Sequence, residues 1–288
     1  MYSTKENQDW LKKAGVLADA LPYMKKFSGK TVVIKFGGHA MGESELSSNF
    51  ARDVVLMKQC NVNPIIVHGG GPMINSMLER MEIKSKFYQG KRITTKEIME
   101  VVEMVLSGTV NKTIVSALNE EGGKAVGLSG KDSSLLLCEQ DGNDLGLVGA
   151  IKSVNPEVLH SFINGDFIPV IAPIGFGEDS QTYNINGDTV AGAIASSLSA
   201  DRLLLLTDVE GVKNEDGVLI PQLTPFEAMK LIKKGTISDG MIPKVNTSLD
   251  AIENGVRASV IIDGRVEHSC LLELFTPHGA GTLFRDKM

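Results

Sequence analysis

The sequence predicts an α/β fold, a mainly parallel central sheet with helices on both faces, on three observations. Short apolar runs recur along the chain: TVVIKF (31–36), PIIVH (64–68), KAVGLSG (124–130), DFIPVIAPIG (166–175), DRLLLLTD (201–208) and RASVIIDG (257–264). Runs that are apolar at consecutive positions read as strands buried on both sides. Between them lie stretches of helical period, NFARDVVLMKQC (49–60), PMINSMLERM (72–81) and a long Val-, Met- and Leu-rich stretch over 96–121. Strand and helix in alternation mean crossovers that cover the sheet on both sides. Finally, 288 residues, 42% hydrophobic and 22% charged, make a globular chain of one large domain or two small ones. No internal repeat or low-complexity linker divides it, so two lobes on one continuous sheet is the expected arrangement.

The first 28 residues stand apart from that rhythm. Within 9–27, Trp10, Leu11, Val16, Leu17, Ala20, Leu21 and Met24 fall near helical spacing with charges between them, and Pro22 is a candidate kink. This amphipathic helix packs either on its own domain or on another subunit. The N-terminus has no apolar stretch behind basic residues, so no signal peptide is expected, and runs such as LLLL at 203–206 are far short of a membrane span.

Net charge is −6 and the sequence pI about 5.5, which argues against non-specific binding to nucleic acid or anionic membranes. A small anion held by a few placed cations stays open. Cys60, Cys138 and Cys270 form no C-x-x-C pair, and the five histidines form no H-E-x-x-H, so neither a disulfide framework nor a protein metal site is expected.

The unusual residues gather where strands end, the edge at which open α/β sheets bind ligands. Three glycine turns stand out: Lys35-Phe36-Gly37-Gly38, His68-Gly69-Gly70-Gly71 before Pro72, and Asp239-Gly240-Met241-Ile242-Pro243-Lys244. Glycine lets backbone N–H groups approach an anion without a Cβ in the way, and a following helix N-terminus adds partial positive charge. None of them is a G-x-x-x-x-G-K-[ST] or G-x-G-x-x-G motif, and protein-kinase and serine-hydrolase signatures are absent. Lys35 ends an otherwise apolar strand, so its ammonium points at the sheet edge. Asn184-Ile185-Asn186-Gly187-Asp188-Thr189 leads into an Ala-rich helix; Asp188 or Thr189 can cap it, and Asp188 can instead fix a lysine by a charge-assisted bond. Arg92, in Gly90-Lys91-Arg92-Ile93-Thr94, offers a planar fork to a carboxylate, or is a plain surface arginine. The residues alone thus reach an anion-binding α/β enzyme with Lys35 and Lys244 as cations.

VVIKFGGHAM, IIVHGGGPMI, GKRIT, VEMVLSGTVNK, GLSGKD, FIPVIAPIG, YNINGDTVAGAIA, LLLTDVEGV, GMIPKV and IIDGR follow one another here. The ordered set, spanning nearly the whole chain, resembles the amino-acid kinase family in its arginine-biosynthetic, acetylglutamate-phosphorylating branch. The resemblance implies an αβα sandwich of the carbamate kinase-like kind. An N-terminal helix extension (1–28) would precede an N-lobe (29–196) for the acyl substrate and a C-lobe (197–288) for ATP. The implied reaction passes the γ-phosphoryl of MgATP, the metal carried by the nucleotide, to the γ-carboxylate of N-acetyl-L-glutamate. By resemblance, Lys35 and Lys244 bracket the transferred group and Asp188 organises them. Gly37, Gly38, Gly70 and Gly71 cradle phosphate and substrate oxygens. Arg92 and Asn184 hold the substrate's carboxylate and acetylamino side, and Thr207, Asp208, Gly211, Gly240 and Met241 lie along the nucleotide. Phe36 stands where the family more often has tyrosine, and Gly187 where alanine is usual; neither change removes a functional group.

The N-terminal helix and the C-terminal segment His268–Phe275 followed by Gly279-Ala280-Gly281-Thr282 are similar to features of the arginine-inhibited members. The resemblance implies a homo-hexamer, a trimer of dimers interlaced by the helix. It also implies an L-arginine site of Tyr23, Lys213, His268, Glu273, Gly279 and Gly281, with Glu273 on the guanidinium. Some relatives in photosynthetic organisms bind a PII signalling protein as well. A cytoplasmic location, or an organelle stroma after loss of a transit peptide, goes with this reading. Carbamate, glutamate 5-, aspartate and uridylate kinases are the rivals within the family. A non-catalytic arginine-binding or scaffold protein is the rival outside it.

Overall fold

A computed structural model describes residues 5–37, 44–88, 90–142, 144–238 and 240–286. Helix α1 (Lys5–Phe27) runs unbroken through Pro22 and leads into β1 (Thr31–Phe36), α2 (Ser44–Gln59), β2 (Asn63–His68) and α3 (Gly71–Arg80). A short hairpin, β3 (Phe87–Tyr88) and β4 (Lys91–Arg92), precedes α4 (Lys96–Glu103), which passes through a π-helical turn (Met104–Val110) into α5 (Asn111–Glu120). The middle of the chain holds β5 (Ala125–Ser129), β6 (Leu136–Gln140), β7 (Gly149–Val154), α6 (Pro156–Asn164), β8 (Ile168–Ala172), β9 (Ile174–Gly177), β10 (Thr182–Asn184) and α7 (Gly187–Ser197). The rest is β11 (Arg202–Thr207), β12 (Gln222–Leu223), α8 (Pro225–Lys234), α9 (Met241–Glu253), β13 (Ser259–Asp263), α10 (Ser269–Phe275) and β14 (Gly281–Phe284).

Eight strands form the main sheet in the order β12-β14-β13-β11-β1-β2-β8-β5. Its six consecutive members from β13 to the edge strand β5 are mutually parallel and are the six apolar runs legible in the sequence. Only β14 turns back, antiparallel to β13, and carries β12 with it. Side chains alternate across the sheet, as strand geometry requires. Val32, Ile34 and Phe36 of β1 join Leu204, Leu206, Val260 and Ile262 in one core, under α2, the long helix over 96–120, and α10. Val33 joins Leu203, Leu205 and Ile261 in the other, under α7, α8 and α9. The result is an αβα sandwich.

The 25-residue run Lys96–Glu120 is long and apolar enough to cross a bilayer by composition, contrary to the reading of the apolar runs above. Its Val101, Val102, Val105, Leu106 and Leu118 are instead buried in the protein core. A second sheet, β10-β9-β6-β7, lies beside the main one and escaped the sequence reading. Its strands are short and mix Gly, Ser, Lys and Glu with the apolar residues, so neither period stands out.

On α1, Trp10, Leu11, Val16, Leu17 and Leu21 are exposed. Tyr23 and Met24 pack against the core, and Phe27 is buried in it. Among the described residues, the hydrophobic packing of the helix on the core is thus confined to its last turns.

Candidate active site

β1, β2 and β11 run in register, Phe36 beside His68 and Lys35 beside Leu205, so their C-terminal ends form one rim. Lys35 shares a face with Val33, the face covered by α7 and α9, and its ammonium reaches their N-terminal turns. It lies 3.1 Å from Asp188 Oδ1, while Lys244 Nζ donates to Asp188 Oδ2 at 2.8 Å. The Lys35 approach is an ion pair off the hydrogen-bonding direction: Oδ1 accepts no hydrogen bond among the described residues. Burial by itself would raise the Asp188 pKa, but the Lys35 and Lys244 ammoniums outweigh it and hold the carboxyl below its ordinary range. Two cations on one carboxylate leave a net positive centre at the sheet edge.

Local structure explains why these side chains are free to meet. The cap of α7 is Asn186, whose side chain accepts from the N–H groups of Asp188 and Thr189. Asp188 is thus released from capping, one of the two roles open to it in the sequence. The signal was there: Asn is among the best N-cap residues, two positions before Asp188. Gly37 leaves room for the ammonium, since a Cβ there would lie 3.0 Å from Lys35 Nζ. At Gly70 a Cβ would collide with Leu106 Cδ2, so glycine lets this turn close over the long helix with Leu106 in its place. Gly71 opens α3 with Pro72 behind it, a helix start whose free N–H groups face the rim.

Lys35, Gly70, Gly71, Arg92, Asn184, Asp188 and Lys244 all line one cavity of about 890 Å³. Arg92 is buried, not a surface arginine. Its two Nη atoms donate to Ser85 and Asn75, each at 2.6 Å, and its guanidinium stacks on Phe87 4.6 Å from the ring centroid. The sequence reading missed Asn75, Ser85 and Phe87, because only tertiary packing brings α3 and the hairpin to Arg92. Asn184 donates to Thr94 at 3.3 Å.

The remaining residues lie elsewhere. Gly38 and Asp239 fall outside the described residues. Thr207 ends β11 with its hydroxyl donating to Asp208, Gly211 lies in the loop after that strand, and Gly240 and Met241 open α9; none of them borders that cavity. Gly211, at φ +144°, packs on Thr282, where a Cβ would lie 2.6 Å from Oγ1. At the opposite side of the fold, His268 pairs with buried Asp53 at 2.6 Å, and Glu273 accepts from the Ala280 N–H at 3.0 Å beside Gly279. Gly281 sits in β14 against Ile261, Tyr23 is half-buried on α1, and Lys213 pairs with Glu210.

A parallel sheet whose edge presents two lysines on one aspartate, with glycine turns and no P-loop, defines a phosphoryl-transfer enzyme of a particular kind. The profile of the amino acid kinase family matches residues 30–263, and the chain belongs to that family. Its relatives include a protein from Ruegeria pomeroyi named acetylglutamate kinase, 57% identical over 99% of this chain and 99% of its own length. Another of the same name, from Paracoccus denitrificans, is 55% identical over 99% of this chain and 94% of its own. Among solved structures, the N-acetylglutamate synthase of Neisseria gonorrhoeae superposes with a TM-score of 0.85 at 24% identity, over 96% of this chain and 64% of that one. The chain therefore spans less than two thirds of the synthase. A carbamate kinase of Giardia lamblia gives 0.67 at 17% identity, over 90% of this chain and 99% of that one. At these identities the two structures speak to the fold alone.

Proposed function

We propose that this kinase transfers the γ-phosphoryl group of ATP to the γ-carboxylate of N-acetyl-L-glutamate, giving N-acetyl-L-glutamyl 5-phosphate and ADP, the second step of arginine biosynthesis. The observation that carries the reading is one cavity with the Lys35–Asp188–Lys244 cluster and a buried, braced Arg92 among its walls. Full-length similarity to proteins named acetylglutamate kinase supports the choice of acceptor.

Acceptor and donor are both anions, so repulsion is the main obstacle and charge neutralisation the main remedy. A carboxylate oxygen of the acceptor forms the new bond to the γ-phosphorus as the bond from phosphorus to the β,γ-bridging oxygen breaks. The electron pair leaves on ADP. No general base is required, because a glutamate carboxyl is already ionised near neutral pH. Lys35 and Lys244 stabilise the charge on the transferred group, and Asp188 holds both ammoniums in place. Arg92 takes the substrate's carboxylate and Asn184 its acetylamino group, while Gly37, Gly70 and Gly71 offer amides to oxygens. Thr207, Asp208, Gly211, Gly240 and Met241 follow the nucleotide, in a C-lobe of residues 197–288 facing an N-lobe of 29–196. Magnesium, entering with the nucleotide, neutralises phosphate oxygens.

Regulation by L-arginine belongs to the same reading. Burial raises the pKa of Glu273, and a guanidinium is the partner that such a carboxylate favours. α1, with its exposed apolar stripe, packs against α10, the helix that carries Glu273. A homo-hexamer interlaced by that stripe would connect assembly to the regulatory site. The biosynthetic role fits a cytoplasmic enzyme.

ADP release from MgATP tests this directly, with N-acetyl-L-glutamate against glutamate, aspartate, carbamate and UMP, each with and without L-arginine. Turnover with N-acetyl-L-glutamate alone, suppressed by arginine, is expected. Turnover without suppression discards the arginine site. Absence of turnover from folded, ATP-binding protein discards the acceptor.

A further inference from the structure

The glycine turn after β2 is held from beneath by His68 and Asn111, which are not among the residues lining the cavity. His68 is fully buried and Asn111 nearly so, at 0% and 1% exposure. Asn111 Nδ2 lies 2.9 Å from the carbonyl oxygen of Val170 and 3.2 Å from His68 Nε2. Carbonyls can only accept, so the amide nitrogen of Asn111 faces Val170 and, at 3.4 Å, Leu128. That nitrogen cannot accept, so its contact with Nε2 is a donation, its second proton shared between Nε2 and the Leu128 carbonyl. Nε2 is therefore the bare nitrogen and the imidazole proton sits on Nδ1. There it donates to the carbonyl oxygen of Gly69 at 2.7 Å, the first residue of the turn. Hydrogen bonds thus connect β8 through Asn111 and His68 to Gly69, Asn111 donating to Val170 and to His68 and His68 donating to Gly69.

The long helix is shaped to complete it. Its π-turn, Met104–Val110, ends immediately before Asn111, and a π-turn inserts an extra residue into a helix and shifts the register of the next turns. Leu106 and Val110 of that turn lie under Gly70, where a Cβ would meet them at 2.3 and 3.5 Å. Across the helix, Gly127 leaves room for Asn111, since a Cβ there would fall 1.9 Å from Asn111 Oδ1. Space, register and hydrogen bonds agree on one position of the turn.

We infer that His68 and Asn111, set by the π-turn, are positioning residues that aim the amides of Gly70 and Gly71 at the reacting carboxylate and phosphoryl oxygens. This rests on the reading of the turn as an oxygen cradle. The two half-mimics of the imidazole separate the links: His68→Asn can keep the donor to Gly69, and His68→Gln can keep the acceptor for Asn111. Asn111→Ala removes the chain at its root.

With N-acetyl-L-glutamate as acceptor, Asn111→Ala should lower kcat roughly 100-fold, the scale of an ångström of misplacement. ATP binding, followed by calorimetry, and the KM for ATP should stay within about twofold. His68→Asn should retain more activity than His68→Gln, because it keeps the bond that reaches the turn. In the wild type, the ¹⁵N shifts of His68 should report a proton on Nδ1 and none on Nε2. Unchanged kcat in folded Asn111→Ala, or a loss of ATP binding parallel to the loss of kcat, would overturn the proposal. So would the opposite tautomer, which requires no active enzyme to observe. A wild type inactive on N-acetyl-L-glutamate, with the Nδ1–H tautomer intact, would instead sink the acceptor assignment.

Discussion

Asp188 and His68, in and beneath the site, owe their states to different competitions. Asp188 is buried, yet two ammoniums keep it ionised; removing its charge leaves two lysines facing each other. Asp188→Asn should therefore lower kcat at least as much as loss of one cation. Lys35→Ala and Lys244→Ala should each lower it on the order of 100- to 1,000-fold, the usual scale for one preorganised stabilising group, while circular dichroism stays native. Arg92 plays another part. Braced by Asn75, Ser85 and Phe87, it is built to bind, so Arg92→Lys should raise the KM for the acceptor by more than tenfold and spare kcat. His68 shifts the same way as Asp188 but for another reason and with another result: burial pushes its pKa from 6.5 down to about 4 and keeps it neutral. Between those values the unfolded chain takes up a proton that the folded one refuses. Stability therefore rises with pH through this window and is lost as pH falls from about 6.5 toward 4, by up to about 3 kcal/mol. Denaturant titrations at pH 7 and pH 4.5 should differ in that sense, and the difference should shrink in His68→Gln.

At the scale of elements, turns and caps decide what faces the cavity. Asn186 caps α7, Gly37 clears the ammonium of Lys35, and the π-turn seats Gly70. Gly70→Ala should press its methyl into Leu106 and lower acceptor turnover; adding Leu106→Ala should recover part of it, because the collision is with that side chain alone at under 3 Å. Recovery of turnover in the double variant is the measurement. The elements away from the site obey ordinary rules. Thr224 and Glu227 form a reciprocal capping box on α8, and Gly235 ends the helix in the left-handed conformation.

The whole molecule places the Lys35–Asp188–Lys244 cluster on one edge of the main sheet, and His268 and Glu273, the residues proposed for arginine, against α1 and α2, on the face away from α7 and α9. Among the described residues of α1, Tyr23, Met24 and Phe27 are those that pack on the hydrophobic core. A chain lacking residues 1–21 should thus fold and turn over N-acetyl-L-glutamate within about twofold of the full chain, since the core contacts are kept. Its sedimentation coefficient should fall to that of a smaller assembly, because Trp10, Leu11, Val16, Leu17 and Leu21 are removed. Equal sedimentation of the two chains would dissociate α1 from assembly.

The sequence by itself determined the six parallel strands and the helices between them, because a strand buried on both faces must be apolar at every position. It also marked Lys35, the glycine turns and the run through Asp188 as places where the pattern breaks at a strand end. Only the tertiary structure decided which broken places meet. Strand order put β1 between β2 and β11, and the crossover helices brought Asp188 and Lys244 from distant parts of the chain to Lys35. The small sheet stayed hidden because its strands are too short and mixed to show a period. The bracing of Arg92 and the His68–Asn111 link stayed hidden for a different reason: hydrogen bonds between residues far apart in sequence carry no periodicity, and depend on a fold that already exists.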